Sequence, residues 1–222
     1  MKKVVIFGTG TLARLAYIHF SEEGQYEVIA FTVNEEYLVD SDDVFGLKVV
    51  PFEKIEQLYP PDSFAIFVAI GTKKANKARA QIYNDCKAMG YELASCLNTK
   101  VNQLKFVKTG DNCLLMPNVI VQPFAEIGND VIVWSGSYIG YQSRLRDHSY
   151  IAAAAVISGN VDVGEYCFVG ANATIKDRLT IAPECVVGAG AVILKDTELG
   201  KVYGGHGADI IHRSSSELRY FK

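Results

Sequence analysis

Between Leu115 and Leu199 every sixth residue is Leu, Ile or Val, running through Val121, Ile127, Val133, Ile139 and Leu145 as far as Ile193. These three types make up 56 of the 222 residues. An unbroken run of this length at one spacing has a chance probability on the order of 10⁻⁹, so the period needs a structural cause. A second column, two residues earlier, holds small side chains such as Cys113, Ala125, Ser137, Ser143, Ala155, Cys167, Cys185 and Ala191, with Leu179 its one large member. A helix repeats near 3.6 and a strand at 2, and neither accommodates a strict six. A chain of short strands that turns a corner every six residues, and closes a triangular coil in about eighteen, does. The aliphatic column then stacks inward and the small column fits the crowded corners. The period therefore predicts a parallel β-helix of nearly five coils.

Such a solenoid has a narrow core and gains stability by oligomerising, so a homo-oligomer is expected. Charge is nearly balanced, with 22 basic and 25 acidic residues, and no basic run points to nucleic acid. No apolar stretch reaches membrane-spanning length. The opening Val4–Phe7 run breaks at Gly8, too early for a signal peptide, and reads as a buried strand. Cys86 and Cys96 form no metal or disulfide motif, and the other three cysteines fall in the small column. A cytoplasmic protein is expected.

The first hundred residues read differently. A strand at Val4–Phe7 is followed by Gly8-Thr9-Gly10-Thr11, a helix from Leu12 to about Glu23, and a strand at Tyr26–Thr32. A short strand at Val49–Pro51, another at Phe64–Ile70 ending in Gly71, a helix over Lys73–Met89 and a strand at Glu92–Cys96 complete it. Strand, glycine turn, helix, strand begins a doubly wound parallel sheet. Gly8-x-Gly10 is a partial dinucleotide fingerprint, with Arg14 in the third glycine position. Either it is a tight turn alone, or its N–H groups cradle a phosphate at the helix start. Gly71 with Lys73, Asn76 and Arg79 would form the opposite lip, although Lys73 and Arg79 also fit a solvated helix face.

A Rossmann-like domain ahead of hexapeptide coils resembles the sugar acyltransferases of the sialic acid O-acetyltransferase and bacillosamine N-acetyltransferase family. The residues that carry the resemblance are Gly8-Thr9-Gly10, Phe67-Val68-Ala69-Ile70-Gly71, Ser158-Gly159-Asn160, Gly170-Ala171-Asn172 and Val187-Gly188-Ala189-Gly190-Ala191. It implies an α/β domain over 1–98 that binds a sugar nucleotide, and an all-β left-handed parallel β-helix over 99–222 with a C-terminal loop. It further implies acetyl-CoA, or another acyl-CoA, as co-substrate between subunits of a trimer, with no metal. Gly8, Thr9, Gly10, Thr11, Thr32, Gly71, Lys73 and Asn76 would hold the nucleotide sugar. Gly159 would offer its N–H to the thioester carbonyl. Tyr150, Gly170, Asn172, Gly188 and Ala189 would flank CoA, with the loop Tyr203–Ile211 over its far end.

The family's general base is a histidine two residues after one aliphatic position. Here that coil reads Ile139-Gly140-Tyr141-Gln142-Ser143, which puts Tyr141 in the slot, and a second family histidine falls on Tyr150. A hydroxyl acceptor deprived of its base should react roughly 10²–10⁴-fold more slowly, whereas an amine bound neutral can attack unaided. N-acylation of a nucleotide-linked amino sugar, in bacterial surface-glycan (O-antigen) synthesis, is therefore the expected activity. The alternatives are O-acetylation using Tyr141 or His148, and an inactive sugar-nucleotide-binding homologue. His148 is either a replacement base across a trimer seam or a solvated corner residue. The acidic residues the family places after the second strand come late here, at Asp40, Asp42 and Asp43. A γ-type carbonic anhydrase would need three zinc-binding histidines in the coils, and only His148 of His19, His148, His206 and His212 lies there.

Overall fold

The computed structural model describes residues 1–38, 43–98 and 106–207. Asp40, Asp42, His212 and the far part of the loop Tyr203–Ile211 lie outside the described residues.

The amino-terminal domain is a six-stranded sheet in the order β3-β4-β2-β1-β5-β6. Its elements are β1 (Lys2–Phe7), α1 (Thr11–Glu23), β2 (Tyr26–Val33), β3 (Asp43–Val44), β4 (Leu47–Pro51), α2 (Ile55–Leu58), β5 (Phe64–Val68), α3 (Lys77–Ala88) and β6 (Glu92–Leu93). All neighbours are parallel except the β3–β4 hairpin, which the sequence reading lacks. Side chains of β1 alternate between the two faces: Val4 and Ile6 pack with α1, Val5 and Phe7 with Tyr83 and Cys86 of α3. Helix α1 stops where Gly24 turns left-handed and its N–H caps the Phe20 carbonyl.

Expected Glu92–Cys96 is two strands belonging to two sheets. Glu92–Leu93 closes the amino-terminal sheet, while β7 (Cys96–Leu97) pairs with Leu114–Leu115 inside the β-helix. The coil thus begins before the aliphatic column. Thr109 pairs with Ile127, and the register of eighteen then holds through every coil to Ile175↔Ile193. The column ends at Ile193. Leu199 is 66% exposed, and the last strand, Val202–Tyr203, sits only sixteen residues after its partner Val186–Val187. The result is the expected left-handed parallel β-helix, with three sheets and a buried aliphatic stack.

Two regularities explain how corners close. The residue before each small-column position has positive φ at all fourteen corners from Asn112 to Gly190, and only Gly136 and Gly190 among them are glycine. That backbone shape turns the N–H toward the preceding coil. Asn160 N–H bonds the Tyr141 carbonyl at 2.8 Å, Asn172 that of Ala153 at 3.1 Å, and Glu184 that of Glu165 at 2.8 Å. In the small column, polar tips point to the next coil: Ser143 Oγ donates to the Ser158 carbonyl at 2.7 Å and Ser137 Oγ to that of Ala152 at 2.9 Å. Cys113 and Cys167 do the same with weaker S–H donors.

Helix α3 joins the domains. Expected from Lys73, it starts at Lys77, because Lys74, Ala75 and Asn76 are left-handed with φ of 53°, 49° and 65°. Its buried residues are Arg79, Ala80, Tyr83 and Cys86, so Arg79 is no part of a solvated face. Arg79 is fully enclosed against the β-helix, its Nε 2.9 Å from Asp130 Oδ1. A buried guanidinium is tolerated here because Asp130 and neighbouring carbonyls satisfy its donors.

Candidate active site

A cleft of about 750 Å³ opens at the carboxyl ends of the parallel strands. It is bounded by Gly8 and Thr9 after β1, Asn34, Glu36 and Tyr37 after β2, and Ile70, Lys73 and Lys74 after β5. The strand order reverses between β1 and β5, and a doubly wound sheet binds ligands at such a switch point. Gly8 is demanded by the fold: its φ is +112° and a Cβ would lie 3.0 Å from the Ala69 carbonyl oxygen. Arg14, in the missing-glycine position, folds back so that Nε donates to the Thr9 carbonyl at 3.2 Å. Lys73 Nζ stands 5.9 Å from the Tyr37 ring centroid. The Glu36 carboxylate beside it holds the Tyr37 phenol above its ordinary pKa.

Of the eight residues expected to hold the nucleotide sugar, Gly8, Thr9 and Lys73 line this cleft. Gly10 precedes α1 and Thr11 opens it, and neither Gly10 nor Gly71 has an atom within 4 Å of where a Cβ would be. Two side chains are occupied elsewhere. Thr32 is buried with its hydroxyl donating to the Val50 carbonyl at 2.9 Å. Asn76 is fully buried, its Nδ2 donating to the carbonyls of Tyr166 and Cys167 at 3.3 and 3.1 Å. Lys74 and Glu36 are cleft residues the sequence reading passed over. Lys74 follows Lys73 and carried the same signal, whereas nothing local marked Glu36. The left-handed run at 74–76 costs roughly 1–2 kcal/mol per residue and is offset by what grips it.

The coil residues expected at the acyl centre fall on three different corners. Tyr141 and Gly159 share one. Tyr141 is 45% exposed, edge-on to Phe124 at 5.6 Å, and its carbonyl lies 3.5 Å from where a Gly159 Cβ would stand. No other atom comes within 4 Å of that Cβ and the φ of Gly159 is not positive, so packing does not require glycine here. Its N–H has no backbone acceptor among the described residues, while its carbonyl accepts from Arg178 N–H at 3.0 Å. Beside this corner a cavity of about 460 Å³ is lined by Glu126, Arg144 and Asp162. Neither carboxylate is a ready base: Lys108 holds Glu126, and Arg146 holds Asp162, below the usual carboxylate range.

His148 lies on a different corner, under α3, and this removes it from the catalytic candidates. Its Nδ1 is 2.9 Å from Asp130 Oδ2. Its ring stacks on Tyr166 at 4.9 Å and meets Tyr83 edge-on at 5.4 Å. A histidine buried in this way inside one chain is neither a solvated corner residue nor available at a seam between chains.

Gly170, Asn172, Gly188 and Ala189 occupy the third corner. There a Cβ on Gly170 would lie 2.5 Å from Ala189 N, so close coil stacking alone accounts for that glycine. Tyr150 sits on the sheet before this corner, between Trp134 and Phe168, and burial pushes its phenol up. Among the described residues no group of three His, Cys, Asp or Glu could hold a metal, and no helix is long and apolar enough to cross a membrane.

A switch-point cleft on an α/β domain is here set over a hexapeptide coil with an open glycine corner. Residues 3–86 match the PglD N-terminal domain family, and residues 106–141 match the bacterial transferase hexapeptide (six repeats) family. The chain thus carries a match to each of these two families, one in each of its parts.

Solved structures agree over nearly the whole length. A histidine-to-asparagine mutant of perosamine N-acetyltransferase from Caulobacter crescentus, in complex with CoA and GDP-perosamine, is 25% identical, covering 92% of this chain and 94% of that one with a TM-score of 0.80. The acetyltransferase domain of PglB from Neisseria gonorrhoeae is 24% identical, over 92% and 97%, with a TM-score of 0.82. WeeI from Acinetobacter baumannii is 19% identical, over 91% and 96%, with a TM-score of 0.77.

Proposed function

We infer that the chain is an acyl-CoA-dependent N-acyltransferase. It moves an acetyl group from acetyl-CoA to the amino group of a nucleotide-linked amino sugar, in bacterial surface-glycan (O-antigen) synthesis in the cytoplasm. The observation that carries this reading is a lysine-lined switch-point cleft paired with an open glycine corner whose nearby carboxylates, Glu126 and Asp162, are held by cations. Perosamine N-acetyltransferase, bound to CoA and GDP-perosamine, supports the same pairing of substrates.

The chemistry follows from the acceptor. A neutral amine attacks the thioester carbon through its lone pair, forming the C–N bond while the carbonyl electrons move to oxygen. The Gly159 N–H donates to that oxyanion. Collapse restores the carbonyl, breaks the C–S bond, and the proton from nitrogen passes to the departing CoA sulfur. No side-chain base has to hold it, consistent with Tyr141 in the histidine slot.

The working unit is a homotrimer. Ile120, Val156 and Val192 are exposed on alternate strands of one sheet of the coil, 43%, 36% and 61% accessible, with Tyr138 and Thr174 between them, a face which a second copy would cover. That sheet separates the Tyr141 corner from the Gly170–Ala189 corner, and the nucleotide cleft lies over the third. An acceptor held by one subunit then meets the Tyr141 corner of its neighbour.

Acetyl-CoA binding, together with release of free CoA thiol in the presence of UDP-, dTDP- or GDP-linked 4-amino sugars, tests this reading. Acceptor-dependent release is expected. Failure to bind CoA at concentrations of about 1 mM, the upper end of ordinary KM values, would sink it.

A further inference from the structure

The segment feeding lysines into the cleft has a shape its own sequence does not favour. Lys74 and Ala75 are not turn formers, yet both stand in the left-handed region with Asn76. Asn alone of the three tolerates it readily. Residues persist there where the surroundings over-determine them, and here the surroundings are the β-helix.

Asn76 is fully buried and its amide grips the Tyr166 and Cys167 carbonyls. One turn along α3, Arg79 is equally buried, with Nε on Asp130 Oδ1 at 2.9 Å and Nη2 on the carbonyls of Asp130 and His148 at 3.0 Å each. Positions 130, 148 and 166 are one coil apart, so the start of α3 is fastened to three successive coils. Lys73 and Lys74 line the cleft beside Gly8 and Thr9, while Lys77, also on its rim, turns its Nζ to Glu184 of the β-helix at 2.6 Å and adds to the fastening.

We propose that Asn76, backed by Arg79, is a positioning residue: the β-helix imposes the left-handed turn that sets Lys73 and Lys74 beside the diphosphate of the acceptor. The inference rests on the nucleotide-sugar reading above. It makes nucleotide affinity a property of the domain junction as well as of the cleft.

Full-length Asn76→Gly tests it, because glycine accepts the positive φ and removes only the side-chain bonds. Binding of GDP, UDP and dTDP is measured by calorimetry, and hydrogen exchange is followed at residues 73–78. For the nucleotide the wild type binds, the variant should bind about tenfold more weakly, as expected for losing anchoring hydrogen bonds. KM for the sugar nucleotide should rise with kcat kept, exchange at 73–78 should quicken, and acetyl-CoA affinity should not change.

Nucleotide affinity within about twofold of wild type, or an equal loss of acetyl-CoA affinity, overturns the inference alone. A wild type that binds none of the three nucleotides overturns the nucleotide-sugar reading with it. Should Asn76→Gly fail to fold, Arg79→Lys keeps the charge on Asp130 and drops the arm to the His148 carbonyl. It should then weaken nucleotide binding by about threefold, and no change overturns the inference.

Discussion

Tyr141 occupies the place where the family resemblance leads one to expect a histidine, and its hydroxyl makes no hydrogen bond among the described residues. Its neighbours are the Phe124 ring and the Asn160 N–H on its carbonyl. A phenol in that setting is free to hydrogen-bond an acceptor, and has no relay for a proton among the described residues. Tyr141→Phe should therefore lower kcat by no more than about tenfold, and a loss of about 10⁴ would show that the phenol does acid–base work. Gly159 makes the opposite prediction. A Cβ there meets only an ordinary contact, so Gly159→Val should leave the thermal midpoint near wild type. The N–H remains, but the isopropyl group beside it blocks the thioester's approach, and CoA-dependent transfer should fall by about 10²–10³-fold, as when an oxyanion donor is lost. Normal turnover in that variant would remove Gly159 from the mechanism.

At the scale of the element, the corners hold the least expected feature. Each uses a left-handed residue, but the sequence fills these places with Phe124, His148, Ala154, Tyr166, Arg178 and Glu184 as readily as with Asn. A column that mixed has no signature, so it escaped the sequence reading, whereas the inward column needs aliphatic side chains at every step. The cost of positive φ is offset by the coil-to-coil hydrogen bond it creates. Ala154→Gly keeps the bond from its N–H to the Ser135 carbonyl and relieves the steric strain. After the entropy of glycine is deducted, it should gain about 0.5 kcal/mol in urea denaturation. Leu199 teaches the converse: it continues the period by coincidence after the chain has left the coil, where a sixteen-residue step replaces eighteen.

For the whole molecule, the sheet face bearing Ile120, Val156 and Val192 and the separation of the two half-sites make a common prediction. Val156→Asp should yield monomers by light scattering and abolish transfer, while nucleotide binding to the amino-terminal cleft survives. A trimeric, active variant would displace the interface from this sheet. Alkaline stability is a second property of the whole. Burial pushes the thiols of Cys86, Cys96, Cys113 and Cys167 up to about 12, and the phenols of Tyr26, Tyr83 and Tyr91 upward as well. A raised folded pKa contributes stability in full below the unfolded value. That stability is lost as pH rises toward the folded value, so the denaturant midpoint should fall between about pH 9 and 12. At neutral pH the same thiols should resist disulfide reagents until the protein is unfolded.

The sequence by itself determined the coil, its inward face and the α/β start. Each of these is local or repeats every six residues, and every strand meets its own kind eighteen residues on. Only the tertiary structure decided that His148 and Arg79 belong to a buried junction, and that Asn76 braces the cleft from outside it. Arg79 reaches Asp130 across 51 residues and Asn76 reaches Cys167 across 91. Bonds between unlike elements at such separations obey no period, so no pattern along the chain could announce them.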